Sequence, residues 1–429
     1  MPSEPAKGSP TRQTLRITSI DALRGFVMFM MIFVNDLAGA PENLVPDWMV
    51  HFSDRHDHGS GMTFVDLVFP GFLFIVGMSI PFALGSRISK GEPVWKTFGH
   101  VLVRTLALLA IGILMVHETP NSEVMGWSGA LWCTLMYLAA IPAFCSLSPR
   151  QATKEGAKKS SDQVLKIVNV CLRALGMVAL VWLTFAFRDK KGHGIISLSP
   201  FVIRTSWYGI LGLIGWAYLM ASIVYLLFRG HRTAILGCMA VLMSLFVADR
   251  GGAFDDFWLQ HYVGIGEMLG SQAAITVGGL LLGTMLVSID VATLWARFKF
   301  TFWFAAGCAA VALCLQPLYG ISKNSATPSW CLWSCVTTAT LWFFFYYLCD
   351  VRQVKTISRP LSLAGQNVLL TYLLSEMLPG LLDVLHLGDW YDSLSHPNLV
   401  CAIARSVACG VLLLALTVGL NKIGFRLKL

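Results

Sequence analysis

The stretch His56-Asp57-His58-Gly59-Ser60-Gly61-Met62-Thr63-Phe64-Val65-Asp66-Leu67-Val68-Phe69-Pro70 sets two histidines and two carboxylates just ahead of a long apolar run. A second polar mark, Asn35, ends the preceding apolar run in Ile32-Phe33-Val34-Asn35, and Asp36 follows it. A histidine with a pKa near 6.5 can take a proton at neutral pH. An asparagine amide can donate a hydrogen bond to a carbonyl oxygen that is gaining charge. Each of these residues also has a plainer reading. Asn35 suits an interhelical hydrogen bond or a helix C-cap. Thr63-Phe64-Val65-Asp66 fits a capping box, and Asp66 could equally orient His56. The run His51-x-x-Asp54-x-His56-Asp57-His58 has spacing that could suit zinc. No distant ligand set accompanies it, so no metal is expected.

Cations mark the opposite ends of the same apolar runs. Asp21 and Arg24 lie i,i+3, which fits an anchoring ion pair or a cation for an anionic cofactor. His100 and Arg104 lie i,i+4 on one helical face, with Lys96 one turn earlier. An arginine inside an apolar run is costly unless it pairs with an acid or binds phosphate. Further along, Ser322-Lys323-Asn324-Ser325 and the pair Gln366-Asn367, with Glu376, could line a cavity. Packing hydrogen bonds and turn chemistry are their alternative reading.

The elements that must carry these groups follow from composition. Apolar residues make up 55% of the 429, charged residues 13%, and mean hydropathy is +0.65. Soluble domains carry about 25% charge. A helix needs about 20 apolar residues to cross a bilayer. Twelve spans are predicted, near 19–38, 63–84, 97–116, 127–146, 166–187, 206–228, 233–248, 271–288, 300–318, 329–349, 360–380 and 399–420. The expected fold is an all-α polytopic transmembrane bundle of about twelve helices, with ten as the lower bound. Residues 1–18 read as a disordered cytoplasmic tail and 19–429 as one transmembrane domain.

Most of the 32 Lys and Arg fall on one side of this arrangement, among them Arg87, Lys90, Lys158, Lys159, Arg352 and Lys355. The positive-inside rule then puts the N-terminus in the cytoplasm. The net charge of +8 needs no nucleic-acid partner; its partner is the bilayer. Most of the ten histidines gather on the outer side. The eleven cysteines are scattered without a Cys-x-x-Cys, which argues against a disulfide framework. A twelve-helix transporter or flippase of a sugar or cell-envelope precursor is the competing class, although no internal repeat is visible. A non-catalytic partner of a cell-wall assembly system is a third.

Ser19-Ile20-Asp21-Ala22-Leu23-Arg24-Gly25, Ile32 to Asn35, and His56 ten residues before Asp66-Leu67-Val68-Phe69-Pro70 together resemble the heparan-α-glucosaminide N-acetyltransferase family, in particular its bacterial branch with a domain of unknown function. Gly270 to Gly283, Ile321 to Trp330 and Gly365 to Tyr372 extend the likeness. The resemblance implies an acetyltransferase that passes acetyl from cytosolic acetyl-CoA to a sugar or glycan on the far side. His56 then takes the place of the catalytic histidine and Asn35 that of the catalytic asparagine. His58, Asp66, Asp36, Asn324, Lys323 and Asn367 would support the acceptor. Arg24, Arg104, Lys96 and His100 would meet the cofactor's phosphates. The family's usual Trp three residues after the histidine is Gly59 here. The bacterial inner membrane is the implied location, and a homodimer is compatible with the sequence.

Overall fold

The computed structural model describes residues 17–429 except 56–58, 118–119, 149–157, 199–200, 206, 289 and 428–429. His56 and His58, and nearly all of the expected tail, therefore lie outside the described residues.

The first helix, α1 (Thr18–Leu37), precedes a short turn α2 (Phe52–Arg55) and the helices α3 (Val68–Ser89) and α4 (Val94–Val116). A turn α5 (Ser122–Met125), α6 (Gly129–Ala143) and the long α7 (Lys158–Ala186) follow. Next come α8 (Gly209–Phe228), α9 (Arg232–Arg250), α10 (Ala273–Val287), α11 (Leu294–Tyr319) and α12 (Pro328–Tyr346). The chain closes with α13 (Lys355–Ala364), α14 (Val368–Val384), the short α15 (Gly388–Ser393) and α16 (Leu399–Lys422). Two-stranded ribbons are the only sheets among the described residues. β1 (Cys145–Leu147) pairs antiparallel with β4 (Phe425–Leu427), and β2 (Ile196–Leu198) with β3 (Phe201–Ile203).

Eleven of the twelve predicted spans fall on a single helix each, whereas the span near 360–380 crosses the break between α13 and α14. Among the described residues nine helices are long and apolar enough to cross a membrane. The pair α13 and α14, bent by 71° at Gly365 to Asn367, makes a tenth if it is one span. Outside that set stand α1, with Asp21, Arg24, Asn35 and Asp36, and the 15-residue α6. The protein is an all-α, multi-pass membrane bundle.

Its centre is the contact of α3 with α10. Phe74, Gly77 and Met78 meet Thr276, Gly279 and Gly283 backbone to backbone: a Cβ built on Gly77 would lie 1.8 Å from Thr276 O. Small residues allow this approach, which is how helices pack where no water drives them together. α10 is buried along nearly its whole length, whereas α7, α11 and α16 turn large apolar side chains outward, as lipid contact requires. α1 packs against α3, α12, α13 and α16.

Candidate active site

At 1.5 Å per residue, Arg24 and Asn35 stand about 16 Å apart along α1. One helix thus carries a cation near one end of the bundle and an amide at the other. Asp36 fixes the amide end. Its carboxylate accepts from Arg405 Nε (3.1 Å), Ser406 Oγ (2.6 Å) and Tyr391 Oη (2.6 Å), and its carbonyl from Arg405 Nη2 (2.7 Å). Arg405, on α16, is buried and stacks 4.9 Å from the Tyr391 ring. A guanidinium at the C-terminus of α1 also meets the negative end of the helix dipole. Burial, with the hydrogen bond to Asp36, raises the Tyr391 phenol far above its usual range. Asn35 itself is exposed, with Nδ2 3.4 Å from Glu376 Oε1 on α14.

Asp66 organises the same end from α3's entry. It is 1% exposed. Oδ2 accepts from the Thr63 N–H (3.0 Å), which is half of the predicted capping box. Thr63 Oγ1 turns instead to Val50 O (2.7 Å). Oδ2 also takes the Phe52 N–H (3.1 Å), and Oδ1 lies 2.7 Å from His51 Nδ1. The histidine seen on Asp66 is thus His51, which the sequence offered only as part of a metal-like run. Lys323 Nζ lies 3.1 Å from both ring nitrogens of His51. Burial pushes the Lys323 ammonium below the usual lysine range, with Asp66 and Asp54 pulling the other way. Asn324, its neighbour, is exposed. Ser60 Oγ accepts the Ile321 N–H (2.7 Å), and the Gly61 N–H donates to Ile321 O (3.0 Å), tying residues 60–61 to the Lys323 turn.

A cavity of about 440 Å³ opens between α1, α3, α4, α8 and the break before α14. On α3 its wall runs from Phe72 to Ala83, about 16 Å of helix. Arg24, Arg104, Ser79, Gln366 and Asn367 give it polar character; Met28, Met31, Ile75 and Ile214 line the rest. Arg24 bridges Asp21 (3.0 Å) and Ser79 Oγ (2.6 Å), so the anchoring pair forms while the guanidinium stays on the cavity wall. Arg104 stacks 4.8 Å from the Tyr218 ring, and its buried Nε has no hydrogen-bond partner among the described residues. Such a donor invites an anionic or carbonyl ligand. Met31 stands one helical turn before Asn35, so the cavity approaches the amide from below.

Lys96 and His100 do not line this cavity; Lys96 is exposed and His100 Nε2 faces Glu92 (3.4 Å). Asn367 lies on the cavity wall rather than beside Lys323, with Nδ2 reaching Asn421 Oδ1 (3.0 Å) and Oδ1 taking the Leu427 N–H (3.1 Å). Among the described residues no cluster of three His, Cys, Asp or Glu could hold a metal ion. Sequence reading missed Arg405, Ser406 and Tyr391. An arginine inside the last apolar run was the available signal.

Two curated relatives match 112 residues of the chain. Heparan-alpha-glucosaminide N-acetyltransferase of Homo sapiens is 32% identical over that stretch, which is 26% of this chain and 15% of the human protein. The Mus musculus protein of the same name is 31% identical over 26% of this chain and 16% of its own length. The chain thus spans about a sixth of the length of these relatives where they match. Residues 16–258, more than half of the chain, match the family described as "Domain of unknown function (DUF5009)", and the chain belongs to that family.

Proposed function

We propose that this protein is a transmembrane acetyltransferase that moves an acetyl group from cytosolic acetyl-CoA to a sugar or glycan on the far side of a bacterial inner membrane. The cavity carries the reading: two guanidiniums line it, and its wall on α1 extends from Arg24 to Met31, one turn before Asn35. Arg24 and Arg104 would meet phosphate oxygens by charge-assisted hydrogen bonds, and the apolar wall would hold the pantetheine arm. Asn35 Nδ2 would donate to the thioester oxygen as negative charge builds there. His56, the position matched by the family likeness, would take a proton from the acceptor and return one to the departing thiolate. The N-terminus would be cytoplasmic.

The break at Gly365 to Asn367 favours a second reading, since discontinuous helices beside a cavity mark many transporters. One experiment separates the two. Purified protein in nanodiscs is given radiolabelled acetyl-CoA and a panel of amino sugars and cell-wall glycans. Acetylated product supports the transferase. Acceptor flux into proteoliposomes without product, and no acetyl-CoA affinity by calorimetry, would replace it with the transporter.

A further inference from the structure

α11 and α12 leave an aromatic groove between them, at the end of the bundle where α1 begins. Leu294, Trp295 and Phe298 of α11 form one wall, and Phe343 of α12 with Tyr347 forms the other. The Trp295 and Phe298 rings stack at 5.3 Å, and Phe298 meets Phe343 at 5.5 Å. The floor is thus continuous across the two helices. Trp295, Phe298 and Tyr347 are exposed. The cavity described above takes no residue from α11 or α12, so the groove is a separate feature.

Each wall carries a cation. Lys299 stands i+4 from Trp295, so both share one face of α11. Its side chain bends back toward the helix start and sets Nζ 5.2 Å from the Trp295 ring. A lysine does this when its stem lies in lipid and its charge reaches for the membrane surface. Across the groove, α12 runs into a single π turn, Tyr347–Val351. The Arg352 N–H closes it on Tyr347 O (2.8 Å). That wide turn returns the Arg352 guanidinium to 5.9 Å from the Tyr347 ring. The carboxylates nearby are engaged elsewhere. Asp350 accepts the Thr18 and Ser19 N–H groups (3.1 Å each), and Asp290 holds Arg232. Among the described residues no carboxylate pairs with Lys299 or Arg352, and neither side chain makes a hydrogen bond. An aromatic belt accounts for the rings. It does not account for two cations held over them with no anion from the protein.

We propose that this groove binds an anionic phospholipid. Lys299 Nζ and the Arg352 guanidinium take the headgroup phosphate by charge-assisted hydrogen bonds. An acyl chain lies along Trp295, Phe298 and Phe343. The ligand is a lipid rather than a soluble phosphate because the floor is apolar and belongs to helices that span the membrane. A zwitterionic headgroup fits less well, since its ammonium meets two cations. The site does not depend on acetyl transfer.

Native mass spectrometry of the full-length, delipidated protein tests this. Phosphatidylglycerol and phosphatidylcholine with identical chains are the probes. Phosphatidylglycerol should stay bound at concentrations where phosphatidylcholine does not. Lys299→Gln with Arg352→Gln should weaken its retention by about tenfold or more. Lys299→Arg with Arg352→Lys should keep it, which separates lost charge from misfolding. Lys90→Gln with Lys96→Gln removes two exposed cations at the same end and should change nothing. A phosphatidylglycerol with a diazirine in one chain should label the peptides that hold Trp295 to Phe298 and Phe343 to Tyr347. Equal retention of the two lipids, labelling only elsewhere, or equal losses in the two Gln double variants would each overturn the proposal. So would a dimer that persists without lipid and dissociates in Trp295→Ala, since a second copy would then fill the groove.

Discussion

Arg405 Nε and Asp36 Oδ2 meet at 3.1 Å in a buried ion pair that directly follows Asn35 on α1. The pair ties α1 to α16, and through Tyr391 to α15. Removing one partner strands a buried charge, at a cost of about 3–5 kcal/mol. Arg405→Ala should therefore lower the thermal midpoint of the detergent-solubilised protein sharply. Arg405→Lys should recover only part, since lysine lacks the fork that serves both Oδ2 and the Asp36 carbonyl.

Arg104 should contribute to acetyl-CoA affinity where Lys96 and His100 do not. One charge-assisted contact is worth about 1.5–3 kcal/mol. Arg104→Ala should weaken binding by calorimetry to that extent, whereas Lys96→Ala and His100→Ala should leave it nearly unchanged. Equal losses in all three would place the phosphates outside the cavity.

The chemistry should separate from binding. His56→Ala should abolish acetyl transfer with acetyl-CoA affinity retained, and His58→Ala should matter less. Asn35→Ala should slow turnover by about 10²–10³-fold if its amide serves the thioester oxygen. Full turnover in His56→Ala would remove the family-matched residue from the mechanism. A chelator that inactivates the wild type would revive the metal reading of the His51 to His58 run.

Close backbone packing at the centre should make glycines unequal. Gly279→Ala would put a Cβ 1.8 Å from Phe74 O and force α3 and α10 apart, at a cost of about 1–3 kcal/mol. Gly307→Ala, on α11 with nothing within 4 Å, should instead stabilise the helix by about 0.5–1 kcal/mol. Melting curves of the two variants should shift in opposite directions.

Orientation is testable by single-cysteine labelling. A membrane-impermeant maleimide should reach a cysteine at Lys90 only from the cytoplasmic side and one at His261 only from the outside. The reverse pattern would invert the direction of acetyl transfer.

The helices were legible in the sequence because bilayer hydropathy is a local property: twenty apolar residues in a row have few other fates. The polar ends of α1 were legible for the same reason, since Arg24 and Asn35 interrupt apolar runs. What joins distant residues was not local. Nothing in the spacing of Asp36 and Arg405, or of His51 and Lys323, says that they touch; packing of α1 on α16, and the bonds of residues 60–61 to Ile321, bring their segments together. Nor could periodicity show that His51 is a partner of Asp66, because a loop carries no repeat to read. Sequence alone determined a membrane bundle with acid–base groups at one end and cations at the other. The tertiary structure decided which of those groups share a cavity or a carboxylate, because contacts between segments far apart in the chain are set by packing.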